Sequence, residues 1–226
     1  MTTRGSGAVA IWHDIADEGR DEFYAWHGRQ HMPERAAIPG FRRGRRFIAI
    51  DADREFFNLY DTDNADVVRG DAYHERLNNP TPWTLATVGH FRAVARSLCE
   101  VAWAESAADG GLVATIRYSV APEDTAAHLE RAAKAVLPGL AGAPGIAGVQ
   151  LLIADLAASG VVNAEQRARG ASNEVPSHIL VVEGWADDAP FIATVRETIG
   201  RDFPATLASE SRIGFYRHQV TVLPET

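Results

Sequence analysis

Read for hydrophobic and polar positions, the chain runs through the same succession of periodicities twice. Strand-like stretches at residues 7 to 15 (GAVAIWHDI) and 111 to 120 (GLVATIRYSV) each lead into a helical pattern, residues 20 to 37 and 122 to 140. A Pro-Gly pair then closes the helix and opens a strand, Pro39 with Gly40 and Pro144 with Gly145, so that IPGFRRGRRFIAID parallels APGIAGVQLLIAD. Further strands at 55 to 62 and 178 to 185 run into acid-rich helix starts, Asp63 to Asp66 and Asp187 to Asp188. Last strands at 91 to 103 and 212 to 222 end the halves.

Both halves therefore read β-α-β-β-α-β, the order of a ferredoxin-like unit in the α+β class. Such a sheet carries both helices on one face and leaves the other apolar and bare, so two tandem units are expected to pack sheet to sheet within the chain. The first unit is placed at 1–105 and the second at 106–226, with SAADGG, residues 106 to 111, as the linker. The polar stretch 156–177 interrupts only the second unit and is expected to form a surface loop or flap.

Composition narrows the function classes. With 46% hydrophobic and 23% charged residues the 226-residue chain can bury a core. No apolar run reaches the roughly 18 residues that span a bilayer, and the N-terminal residues lack a secretory pattern, so a cytoplasmic protein away from membranes is the expectation. A net charge of -8 argues against a nucleic-acid partner. The single cysteine, Cys99, forms no intrachain disulfide, and no Cys/His cluster has zinc spacing. RRGRR, residues 42 to 46, either faces an anionic group or forms a solvated strand end held by acids.

The chemistry concentrates in FYAWHGRQHMPERAAIPGF, residues 23 to 41, where Phe23, Trp26, His27, Gln30, His31 and Glu34 share a helix face. Pro33 should kink or end that helix near Met32, leaving His31 in the last turn beside unpaired carbonyls. His27 and His31 are one turn apart, a spacing open to metal ligation, acid–base work or helix capping. The zinc protease pattern places Glu after the first histidine, and Gly28 stands there instead.

The run FYAWHGRQHMPERAAIPGFRRGRRF resembles the EthD-type signature of the dimeric α+β barrel superfamily, and LNNPTPWT, residues 77 to 84, is similar to tandem members of that group. The resemblance implies a pocket between sheet and helices for a small aromatic or carbonyl-bearing ligand. It maps the signature histidine onto His31 and the preceding aromatic onto Trp26, with His27 as an extra. Aligning Gly145 with Gly40 sets Ala132 opposite His27 and Val136 opposite His31, so one pocket per chain is expected, walled by the second half.

Other candidates are His13, Tyr60, Tyr73, His74, Trp83, Arg92 and Arg96, in the half that holds four of the five tryptophans. A cofactor-independent enzyme follows as the first reading: His31 moves a proton, Trp26 and Trp83 enclose a ring, Arg46 stabilises enolate or carboxylate charge, and His27, Tyr60 and Tyr73 complete the pocket. A haem protein with His31, His178 or His218 as axial ligand is a second reading, and a non-catalytic binding module is a third. Pairing of two chains into a homodimer is a further expectation from the superfamily.

Overall fold

Gly40 and Gly145 hold left-handed backbone, with φ of 89° and 84°, which only glycine adopts without strain. That turn sends each helix back along its sheet, and a Cβ at Gly40 would lie 2.6 Å from Val67 Cγ2. The Pro-Gly echo in the sequence thus marks the same backbone corner in two repeats. The computed structural model describes residues 4–203 and 210–225.

The first unit contributes β1 (Gly7–Ile15), β2 (Phe41–Asp51), β3 (Phe56–Thr62) and β4 (Phe91–Ser106) in the spatial order β4-β1-β3-β2. The second contributes β5 (Leu112–Tyr118), β6 (Ile146–Ala154), β7 (His178–Gly184) and β8 (Arg212–Val222) in the equivalent order β8-β5-β7-β6. Antiparallel pairing of β2 with β8, Gly44 opposite Val222, and of β4 with β6, Cys99 opposite Ala154, closes all eight strands into one barrel. Closure removes the edges that each separate sheet would offer. The chain is an eight-stranded antiparallel barrel of two ferredoxin-like repeats, as the element order requires.

Period-two alternation decides which side chains go inside. Ala8, Ala10 and Trp12 of β1 point into the barrel with Phe47, Phe57, Val181 and Tyr216, and Cys99 is buried among them with its thiol pushed up by burial. The RRGRR run divides by the same rule, and neither sequence expectation describes it. Arg43 and Arg45 enter one end of the barrel, where Arg43 bonds Asp61 and Asp109 and Arg45 makes a two-pronged bond to Glu183 at 3.0 and 3.1 Å. Arg42 lies outside on Asp63, and Arg46 faces the helices.

The first helical region comprises α1 (Arg20–Trp26), a π-helical turn at His27–His31 and α2 (Met32–Ala36). The helical run continues to Ala36, as the pattern over 20 to 37 expects, and the irregularity expected near Met32 takes the form of the π-helical turn just before it. Pro33 lacks an amide hydrogen and its ring would meet the carbonyl one turn back, and widening the preceding turn absorbs both constraints without ending the helix. His31 is therefore inside a helical run and not beside free carbonyls. After a 3-10 turn at Ala65–Arg69, α3 (Asp71–Asn78) and α4 (Pro82–Val88) replace the single second helix expected, since Pro80 and Pro82 divide it. Trp83 consequently sits on α4.

The second unit repeats the π-helical turn at Ala132–Val136, between α5 (Thr125–Arg131) and α6 (Leu137–Ala141), with Pro138 where the first unit has Pro33. The insertion carries two short helices, α7 (Leu156–Ser159) and α8 (Ala164–Arg169), and α9 (Asp188–Asp202) covers the second sheet. Among the described residues no helix is long and apolar enough to cross a membrane.

Candidate functional site

Alternation along the first unit's strands also sets what faces outward: Val9, Ile11 and His13 from β1, Asn58 and Tyr60 from β3, Arg96 from β4. Opposite them the helical run presents Trp26, His27, His31 and Arg35. Between the two lies a cavity of about 740 Å³, its open mouth included. The insertion of the second unit roofs it with Asn163, Glu165, Gln166, Arg169 and Asn173.

Several contacts hold that roof down. Ser159 Oγ accepts from the Leu98 amide at 2.9 Å, Arg69 donates to Asp155 at 2.8 Å, and the Glu174 backbone pairs with Val94 and Arg96 at 3.0 and 2.9 Å. Arg35 of α2 pairs with Glu165 of α8, joining helix to roof through the site itself. The expected wall from the second half is thus its insertion, and the flap has a fixed place.

The π-helical turn stacks His27 on His31, with ring centroids 5.2 Å apart and 25° between planes. Their chemistry differs. Arg46 Nη1 lies 3.2 Å from His27 Nδ1, and a guanidinium only donates, so that nitrogen is the acceptor and the neutral ring carries its hydrogen on Nε2. No lone pair remains on His27 for a metal or a substrate proton. His31 packs on Trp26 with centroids 4.3 Å apart, and its Nδ1 is buried without a hydrogen-bond partner. Among the described residues no group of three metal-ligating side chains occurs.

Burial pushes both imidazoles well below their ordinary basicity, and neighbouring groups that would compete for positive charge add to it: His31 and Arg46 beside His27, Arg35 and His13 beside His31. His13 is wholly buried against Phe56, Phe91 and Phe23, with Asn58 Nδ2 3.0 Å from its Nε2, and is lowered to about 3 mainly by burial. Burial also raises the Tyr60 phenol, whose hydroxyl has no partner. Near neutral pH the histidines are neutral and Tyr60 is protonated.

Of the sequence candidates, Trp26, His27, His31, Tyr60 and Tyr73 meet at this cavity, with His13 and Arg96. Trp83 does not line it and donates to Glu22 outside. Arg46 lies behind His27, its guanidinium engaged by that ring and by Gln219 at 2.9 Å. His74 and Arg92 lie off the cavity as well, Arg92 donating to the Gly89 carbonyl. Sequence reasoning missed Arg35, Asn58, Glu165 and Arg169. Arg35 had a signal, since it continues the four-residue step from His27 through His31. Glu165 and Arg169 had none, because nothing local says where an insertion docks.

A haem does not fit this arrangement. His31 packs on Trp26 and against His27, and Arg35 and Glu165 tie the helix to the roof across the space it faces, where a macrocycle needs an open flat slot. His218 is bonded to Thr221 at 2.8 Å, and His178 packs against Tyr118 and His128 in the second unit.

No family model matches the sequence, and no curated protein is significantly similar to it. Solved structures do match its architecture. An anthrone oxidase-like protein superposes over 100% of this chain and 97% of its own, with TM-score 0.62 at 14% identity. The chain has the dimeric α+β barrel fold. A candidate monooxygenase from Lactobacillus acidophilus matches with TM-score 0.57 at 12% identity over 96% of each chain. Another from Fusobacterium nucleatum matches with TM-score 0.56 at 9% identity, over 97% of this chain and 95% of its own. At these identities the barrel shares architecture with monooxygenase-like proteins, and its chemistry has to be argued from its own residues.

Proposed function

We propose that the chain is a cofactor-independent enzyme acting on a small hydrophobic carbonyl or phenolic compound, with His31 as the group that accepts and returns a proton. One observation carries this reading: a neutral, partnerless imidazole stacked on an indole faces an unpaired phenol and buried guanidinium groups in a roofed cavity. The substrate gives a C–H or O–H proton to His31, and the electron pair stays behind as enolate or phenolate. Arg35 or the Tyr60 hydroxyl stabilises the oxygen on which that charge collects, and Trp26 covers the ring. From that anion, reprotonation at another carbon is isomerisation and attack on an internal carbonyl is cyclisation. Loss of a leaving group is lyase chemistry, and reaction with dioxygen is monooxygenation.

The EthD-type signature around His31 and the likeness to an anthrone oxidase-like protein agree with this reading, because an anthrone is an aromatic ketone with an acidic methylene group. The low basicity of His31 is offset during reaction, since negative charge forming beside it makes its protonated state more favourable. A non-catalytic binding module is the second reading, favoured by that same low basicity in all three cavity histidines. The test is turnover of aromatic ketones and phenols, anthrone first, by wild type and His31→Ala under air and under argon. A loss of about 10²- to 10⁴-fold in kcat is expected for the variant. Unchanged turnover refutes the role of His31, and binding without conversion of any compound favours the module.

A further inference from the structure

Charge inside the cavity is unbalanced. Arg35, Arg96 and Arg169 line it, and Glu165 is the one carboxylate among its lining residues. Arginine does not give up its proton in proteins, and the cavity histidines are neutral, so the guanidinium groups exceed the acid by two charges. The excess is not absorbed by hydrogen bonds. Arg35 is 4% exposed and its Nη1 has no partner, Arg169 donates through Nη2 to Asn173 and Ala171 but its Nε is buried without a partner, and the Tyr60 hydroxyl is also unpaired. Arg96 is held differently, donating to the Tyr73 hydroxyl at 2.8 Å.

Burying a donor unpaired is costly, and burying several positive donors in one cavity is more so. An apolar substitute at any of these positions would relieve it, and the fold keeps arginine at each. Of the other lining residues, Trp26, Val88 and Phe91 pack together in one apolar cluster, separate from the cluster that holds Tyr60, Tyr73 and Val9. The cavity thus combines an aromatic surface at Trp26 and Phe91 with buried, unpaired cationic donors.

We propose that the ligand is an aromatic carboxylate, its ring on Trp26 and its carboxylate taken by Arg35 Nη1 and Arg169 Nε, which leaves the Tyr60 hydroxyl for the reacting oxygen. This rests on the site read above and names the anionic group its substrate carries besides the carbonyl or phenol. Glu165 is the internal competitor: in the closed cavity it occupies one side of Arg35, and it repels an incoming carboxylate. The carboxylate sets affinity, and His31 does not take part in holding it.

Fluorescence titration with 1-hydroxy-2-naphthoate and with its uncharged carboxamide separates charge from ring. The acid is expected to bind wild type at least about tenfold more tightly than the amide, the worth of one charge-assisted hydrogen bond. Arg169→Gln should erase most of that preference while leaving amide affinity unchanged, and Glu165→Gln should strengthen acid binding. Because Arg35→Gln alone strands Glu165, the paired change Arg35→Gln with Glu165→Gln tests Arg35 without leaving a buried charge. Arg92→Gln, outside the cavity, should change nothing. Equal binding of acid and amide, equal weakening of both by the arginine variants, or binding of neither overturns the proposal. Acid preference that survives in a His31→Ala protein with unaltered turnover would refute the proton-transfer reading alone. Loss of the preference with His31-dependent turnover intact would refute this inference alone.

Discussion

His13 should make folding stability fall with acid in a way one substitution removes. Its ring is 0% exposed, enclosed by three phenylalanines, and burial lowers it from 6.5 to about 3. A histidine depressed in the folded state binds its proton more readily when unfolded, so stability is full above pH 6.5 and is lost as pH falls toward 3. Linkage over that interval gives a loss of about 2 kcal/mol between pH 7 and pH 5, and about 4 kcal/mol by pH 3, from this one group. His13→Phe keeps an aromatic ring among Phe23, Phe56 and Phe91 and removes the titration. It leaves Asn58 without its ring partner, which costs about 1–3 kcal/mol at both pH values and so cancels from the comparison. Urea unfolding of both proteins at pH 7 and pH 5 measures the double difference. His27, His31 and His178 are depressed as well and contribute acid sensitivity to both proteins alike. A variant that loses as much stability between the two pH values as wild type would show that His13 is not held neutral by burial, and would remove the electrostatic account of the cavity.

Two further outcomes follow from the backbone and the barrel interior. Gly28→Ala, in the π-helical turn with open space around the added methyl, should stabilise by up to about 1 kcal/mol, whereas Gly40→Ala, at φ 89° and against Val67, should destabilise by more than about 1 kcal/mol. Thermal melts of the two variants decide the order. Arg45→Met should cost about 1.5–3 kcal/mol in urea unfolding, because Glu183, 1% exposed inside the barrel, loses its two-pronged partner and keeps Arg4 at 2.8 Å and the Gly110 amide at 3.0 Å. Arg42→Met, losing an exposed pair with Asp63, should shift stability by no more than about 1 kcal/mol, and equal effects would contradict the inward and outward assignment of RRGRR.

The double fold was legible because it rests on local rules: period-two strands, period-3.6 helices, and a glycine where the backbone needs positive φ. Gly40 and Gly145 carried the repeat, and the structure places the same corner at both. At Pro33 the sequence left a kink and a stop both open, and the structure shows which occurs. A proline excludes an ordinary helical turn, and the chain has a second response besides stopping, the wider turn of His27–His31, repeated at Ala132–Val136.

The candidate site divides along the same line. Sequence spacing alone determined that Trp26, His27 and His31 share one helix face. Only the tertiary structure decided that Arg46 pins His27 from behind, that Trp83 faces Glu22, and that the second unit's insertion brings Glu165 and Arg169 over the first unit's cavity. Those placements depend on how distant segments dock and bury charge against one another, and local periodicity holds no information about a partner more than a hundred residues away, as Glu165 is from Arg35.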